Sequence, residues 1–90
     1  MNMIRKHIIF SGRVQGVGFR YTSCYFAQSL GLTGWVKNLW DGDVEMEVQG
    51  DPKSVARLVE RLHEGRFIRI EHMETEEIPV IKESSFREIY

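Results

Sequence analysis

One cysteine in ninety residues excludes an internal disulfide, and Cys24 alone cannot build a cysteine-based zinc site. Proline is nearly as scarce, with only Pro52 and Pro79, and no linker, repeat or low-complexity tract divides the chain. No run approaches the ~20 apolar residues of a membrane span. The stretch Met1 to His7 lacks an apolar segment followed by a small-residue cleavage site, so no signal peptide is expected there. These absences point to a cytoplasmic protein held together by packing, with no membrane partner. Length leaves no room for a second core, so residues 1–90 read as one domain, burying about 60–65% of its unfolded surface. A composition 42% hydrophobic and 28% charged is that of a globular chain.

Acids are missing from one half altogether. Residues 1–40 carry Arg5, Lys6, Arg13, Arg20 and Lys37 and no Asp or Glu, a balance of +5; residues 41–90 carry seven Lys/Arg against all thirteen acids, a balance of −6. Such a split suggests an anion site built from the first half, unless the halves interleave and the charges average out over the surface.

Hydrophobic spacing gives the elements. Ile4 to Ser11 reads as a first strand, and Gly12, Gly16 and Gly18 punctuate the loop after it. Phe19, Thr22/Ser23, Phe26, Ala27 and Leu30 mark a helical face, with Gly31 and Leu32 placed for a Schellman ending. Gly34–Leu39 and Val44–Gln49 are two further strands. Asp51 and Pro52 then open a second helix, with a stripe of Val55, Leu58, Val59 and Leu62, that ends at Gly65. Phe67, Ile68 and Ile70 open a fourth strand, and Phe86 to Tyr90 offers a short fifth. The order β-α-β-β-α-β predicts an α+β fold, a ferredoxin-like sandwich with two helices on one face of an antiparallel sheet. In that topology the loop after the first strand, the start of the first helix and the end of the second strand share one rim, where Asn38 stands.

Register decides where Asn38 points. A two-residue Asp41-Gly42 turn would set Lys37 against Met46. A three-residue Trp40-Asp41-Gly42 loop pairs Lys37 with Glu45 and Val36 with Met46, the better chemistry. The second register turns Asn38 toward the helices.

The segment Gly12-Arg13-Val14-Gln15-Gly16-Val17-Gly18-Phe19-Arg20 joins a strand to a helix and ends in a cation. Its glycines permit left-handed backbone angles, so successive N–H groups can form a concave nest beside the positive end of the helix. Arg20 adds a planar fork for two phosphate oxygens, in a position the helix dipole disfavours for a cation. Other readings fail. Gly16-Val17-Gly18 lacks the third glycine of a dinucleotide fingerprint, no Gly-Lys-Ser/Thr follows, and Leu30 rather than arginine stands six residues after Cys24. His7, His63 and His72 are scattered without a carboxylate cluster, so no metal is expected. Asp41 and Asp43 read as turn chemistry.

The site thus has phosphate-binding groups, one neutral amide and no nucleophile, metal or obvious base. Phosphoryl transfer passes through a loose transition state that positioning and charge stabilise. A phosphate ester would still need help with its leaving group. A mixed carboxylic–phosphoric anhydride would not, because its leaving carboxylate has a conjugate acid of pKa about 4–5. Hydrolysis of acyl phosphates is the chemistry that fits.

Val14-Gln15-Gly16-Val17-Gly18-Phe19-Arg20, then Leu30-Gly31-Leu32-Thr33-Gly34-Trp35-Val36-Lys37-Asn38 and Asp41-Gly42, closely resemble the acylphosphatase family over roughly residues 8–52. The resemblance implies the same ferredoxin-like sandwich and the same reaction, with Arg20 binding the phosphate and the backbone N–H groups of Gln15, Gly16, Val17, Gly18 and Phe19 completing the cradle. Asn38 would orient the attacking water, whose proton would pass to the substrate's own phosphate. No cofactor is implied. The expected partner is a small-molecule acyl phosphate, and the chain is expected to be a monomer. Gly65 to Ile70 and the acid-rich stretch Glu71 to Glu77 depart from the family pattern, whereas Phe86 to Tyr90 resembles its terminal strand.

Two other functions compete: a module that holds carbamoyl phosphate or another acyl phosphate without turnover, and a nucleic-acid binder using Phe19, Tyr21, Tyr25, Trp35 and Trp40. Negative net charge and the lack of an aromatic-rich basic strand argue against the latter, so no nucleic-acid partner is expected.

Overall fold

Alternate side chains of the first strand set the layers. In a computed structural model describing residues 2–90, β1 (Ile4–Arg13), α1 (Phe19–Ser29), β2 (Thr33–Asn38), β3 (Val44–Gly50), α2 (Pro52–His63), β4 (Arg69–Ile78) and β5 (Phe86–Ile89) follow one another. Ile8 and Phe10 of β1 join Val36, Val44, Met46 and Val48 on one face of the sheet, and Phe19, Ala27, Val55, Leu58 and Leu62 of the helices close over them. The expected ferredoxin-like sandwich is observed. Among the described residues no helix is long and apolar enough to cross a membrane.

Local signals act as their chemistry requires. The Asp51 carboxylate accepts from the N–H groups of Lys53 (3.1 Å) and Ser54 (3.3 Å), with Pro52 in the first turn. At the end of α1, Leu32 N–H donates to Ala27 O at 2.8 Å and Gly31 N–H to Gln28 O at 3.2 Å, the two bonds of a Schellman motif. The β2–β3 hairpin takes the three-residue loop: Lys37 pairs with Glu45, Val36 with Met46 and Asn38 with Val44. Asp43 N–H donates to Asp41 Oδ1 at 3.0 Å, so Asp41 is indeed a turn residue.

The strand order is β4-β1-β3-β2-β5. The sheet is mixed rather than purely antiparallel, because β5 pairs parallel to β2, from Gly34↔Phe86 to Lys37↔Ile89. The path of the chain dictates this. β4 ends opposite Arg5 at the foot of β1, so the segment 79–85 crosses to the other edge at that end and β5 must climb back. The crossing covers the face away from the helices. There Gln49 exchanges two hydrogen bonds with the backbone of Ile81 (2.8 and 3.0 Å), and the buried Arg5 binds Glu83 (2.7 and 3.4 Å) and Glu47 (2.9 Å).

The fourth strand starts later and runs further than expected. Phe67 is exposed in the turn after α2, and β4 begins at Arg69 and continues through the acidic stretch. An edge strand paired only with β1 and largely exposed shows no buried alternation to reveal it.

Candidate active site

β1 and β2 both run antiparallel to β3, so both end at one rim of the sheet. Phe10, Val44 and Asn38 lie in a row across three strands at that rim. Phe10 meets Phe19, the first residue of α1, edge to face with ring centroids 4.9 Å apart. Val14 and Phe19, both buried, anchor the two ends of the loop 14–18 in the core. The loop is thereby held over the end of β2.

Between these anchors the backbone takes left-handed angles at Gly16 (φ 74°) and at Gly18 (φ 79°), the N-cap of α1. A Cβ at either position would meet nothing, so the demand for glycine there comes from the backbone angle alone. No side chain caps α1 and no acid stands in its first turn, unlike α2 with its Asp51 cap. The positive end of α1 is left to face whatever lies before the loop.

A cavity of about 180 Å³ opens there, lined by Val14, Gly16, Gly18, Phe19, Arg20, Tyr21, Asn38 and Glu88. Of the residues expected from the sequence, the fold brings Gly16, Gly18, Phe19, Arg20 and Asn38 onto this one cavity. Gln15 and Val17 are not among its lining residues, and their side chains are engaged elsewhere. Val17 packs partly against the core, and the Gln15 side-chain amide donates to Leu39 O at 2.7 Å and Asp43 O at 2.8 Å. Gln15 therefore ties the loop to the hairpin that carries Asn38.

Arg20 takes part in none of the ion pairs among the described residues. Its guanidinium lies over the Tyr90 ring, 5.1 Å from the centroid, and Tyr90 in turn donates its hydroxyl to Glu88 Oε2 at 2.6 Å. That hydrogen bond to Glu88 raises the Tyr90 phenol above its usual pKa. Glu88 and Tyr90 went unnoticed in the sequence. Two-residue spacing from the buried Phe86 would place both on the helix side, but only the pairing of β5 beside β2 brings them to the site.

Elsewhere the molecule is chemically plainer. A larger cavity of about 530 Å³ lies between α2 and the edge of β1 and β4, lined by Ile8, Val55, Val59 and Met73 and by the charged or polar Lys6, Glu60, His63 and Glu64, with no arginine or amide nest. Among the described residues no group of three or more His, Cys, Asp or Glu could hold a metal ion.

The model of one protein family, Acylphosphatase, matches residues 6–88. The chain belongs to the acylphosphatase family. An acylphosphatase of Bifidobacterium longum is 46% identical over 85 residues, which cover 93% of this chain and 88% of that one. The crystal structure of the acylphosphatase from Bacillus subtilis superposes with a TM-score of 0.89 at 35% identity, covering 97% of this chain and 99% of that one. The acylphosphatase of Coxiella burnetii also gives 0.89, at 43% identity, with 98% and 94% covered. The acylphosphatase match runs through the acidic β4, where motif resemblance was lacking, and membership makes this chain an enzyme.

Proposed function

We propose that the chain hydrolyses small-molecule acyl phosphates to a carboxylate and inorganic phosphate by direct attack of water. The observation that carries this reading is the convergence of a guanidinium, a left-handed glycine loop at an uncapped helix start and a carboxamide on one cavity of about 180 Å³. Arg20 and the loop amides from Gln15 to Phe19 hold the phosphoryl oxygens and offset the charge that builds on them. Asn38, on a neighbouring strand end, orients water in line with the scissile P–O bond. The water oxygen bonds to phosphorus as the P–O bond to the acyl group breaks, and the carboxylate leaves with the bonding pair. The water's proton passes to a phosphoryl oxygen, so no enzyme base is required.

The test is phosphate release from benzoyl phosphate, followed with chelator present. Wild type is expected to turn over under those conditions, and Arg20→Ala to lose both turnover and binding of inorganic phosphate. Hydrolysis by Arg20→Ala at the wild-type rate overturns the reading.

A further inference from the structure

The cavity that contains Arg20 and Asn38 also contains a carboxylate. Glu88 is the one acid among its lining residues. Its place follows from the pleat: Phe86 is buried beneath α1, and Glu88, two residues on, shares that face and pairs with Val36, two residues before Asn38. Tyr90 holds it there through the 2.6 Å hydrogen bond, with the Tyr90 ring against the Arg20 guanidinium. Glu88 nevertheless forms no ion pair with Arg20. The carboxylate is therefore kept beside the cation rather than on it, where it lines the cavity. An anion so placed opposes the binding of any anionic substrate, and no step of the proposed reaction uses it.

We infer that Glu88 selects substrates by the charge of their acyl group, disfavouring acyl phosphates whose acyl part is negatively charged relative to neutral and cationic ones. The inference rests on the phosphoryl site proposed above. With the phosphoryl group on the loop and Arg20, and Asn38 assigned to the water, the acyl group has only Tyr21 and Glu88 left to meet among the exposed or half-buried lining side chains. Tyr21 is largely exposed and uncharged, so it contributes ring surface without regard to sign. Glu88 alone distinguishes charge. A second carboxylate within about 5–10 Å of it, in a largely aqueous surrounding, loses roughly two- to fourfold in binding. That penalty is screened by salt.

The experiment compares kcat/KM for acetyl phosphate and for succinyl phosphate, whose acyl group carries a free carboxylate. It uses wild type, Glu88→Gln and Glu88→Asp at low ionic strength and again near 1 M salt. Glutamine keeps an acceptor for the Tyr90 hydroxyl and removes only the charge. Any effect of Glu88 on the phosphoryl group is common to both substrates and cancels in their ratio. Glu88→Gln is expected to raise the succinyl-to-acetyl ratio about two- to fourfold at low salt, with the gain shrinking near 1 M, where the screening length is about 3 Å. Glu88→Asp is expected to keep the wild-type ratio. A ratio unmoved by Glu88→Gln overturns the inference, as does a gain that salt leaves intact. Arg20→Ala assayed on acetyl phosphate separates the two levels. If it is inactive while the ratio stays put, the phosphoryl site stands and the role of Glu88 falls. If it is as active as wild type, both fall.

Discussion

The Gln15 side-chain amide donates to the carbonyl oxygen of Leu39, the residue directly after Asn38, at 2.7 Å. A second bond from the same nitrogen reaches Asp43 O at 2.8 Å, so one side chain holds both arms of the hairpin against the phosphate loop. In the proposed mechanism the gap between loop and Asn38 is the gap between phosphorus and attacking water. Gln15→Ala removes two hydrogen bonds, each to a carbonyl that keeps a backbone donor, and at about 0.5–1.5 kcal/mol per bond is expected to cost about 1–3 kcal/mol of stability. Misplacement of reacting groups by about 1 Å can cost 10²-fold, so kcat is expected to fall about 10- to 100-fold. Inorganic phosphate affinity should change far less, because Arg20 and the loop amides remain. Steady-state kinetics beside phosphate titration checks the split, and equal losses in both would refute it.

Asn38→Ala probes the other side of the gap. The side chain ends β2 and its pairing with Val44 is a backbone matter, so the hairpin is expected to survive. Loss of a transition-state hydrogen bond typically costs about 10²–10³ in kcat. The expected result is a loss of that size with phosphate affinity held within about threefold, since a group that binds water rather than phosphate leaves phosphate binding alone. A fall in kcat of less than about fivefold would remove Asn38 from the mechanism.

The parts of the site that were legible in the sequence are those that local chemistry encodes. The Lys37–Glu45 pairing set the hairpin register and so the side of the sheet on which Asn38 lies. Glycines at 16 and 18 marked a left-handed loop, and the order of the first two strands put that loop and Asn38 on one rim. What stayed hidden depends on distant pairing. β4 is an exposed edge strand with no hydrophobic alternation to report it, and its true start at Arg69 is masked by the apolar Phe67-Ile68. Glu88 and Tyr90 reach the site only because β5 adds to β2 in parallel, across some fifty residues of chain. Gln15 was read for its backbone, whereas its side chain is fixed by a hairpin more than twenty residues further along the chain, which no local rule links to it.

On the opposite face, Arg5 anchors the crossing segment to the sheet. It is 1% exposed, and its guanidinium meets Glu83 at 2.7 Å and Glu47 at 2.8 Å, carboxylates that keep some contact with water. Burial alone would lower its pKa, but the bonds to Glu83 and Glu47 outweigh that and hold it above the ordinary arginine value, so Arg5 stays charged at every working pH. Arg5→Ala strands both carboxylates and is expected to destabilise by about 2–4 kcal/mol, a little under the cost of breaking a fully buried pair. At about 4–8 °C per kcal/mol for a domain of this size, Tm should fall by at least about 8 °C. Arg5→Lys should recover part of the loss, because an ammonium cannot reproduce the fork. Thermal unfolding measures both, and a shift below about 3 °C for Arg5→Ala would show the network to be ornamental.

Cys24 lies one helical turn beyond Arg20, half-buried against the core. Burial raises its thiol pKa first and the charge of Glu88 raises it further, while Arg20 pulls the other way. A pKa raised in the folded state favours the neutral thiol: its contribution to stability is complete below the unfolded value, about 8.5, and is lost as pH climbs through the folded one. The thiolate is the reactive species, so alkylation by iodoacetamide near pH 8 is expected to run at least about tenfold slower in the folded protein than in urea. Glu88→Gln removes one of the raising causes and should speed labelling of the folded protein relative to wild type. Cys24→Ala should keep hydrolysis within about twofold, since the thiol does not line the cavity. Mass spectrometry of timed samples follows the labelling. Modification of the native chain as fast as the denatured one would show a thiol open to solvent and contradict this packing.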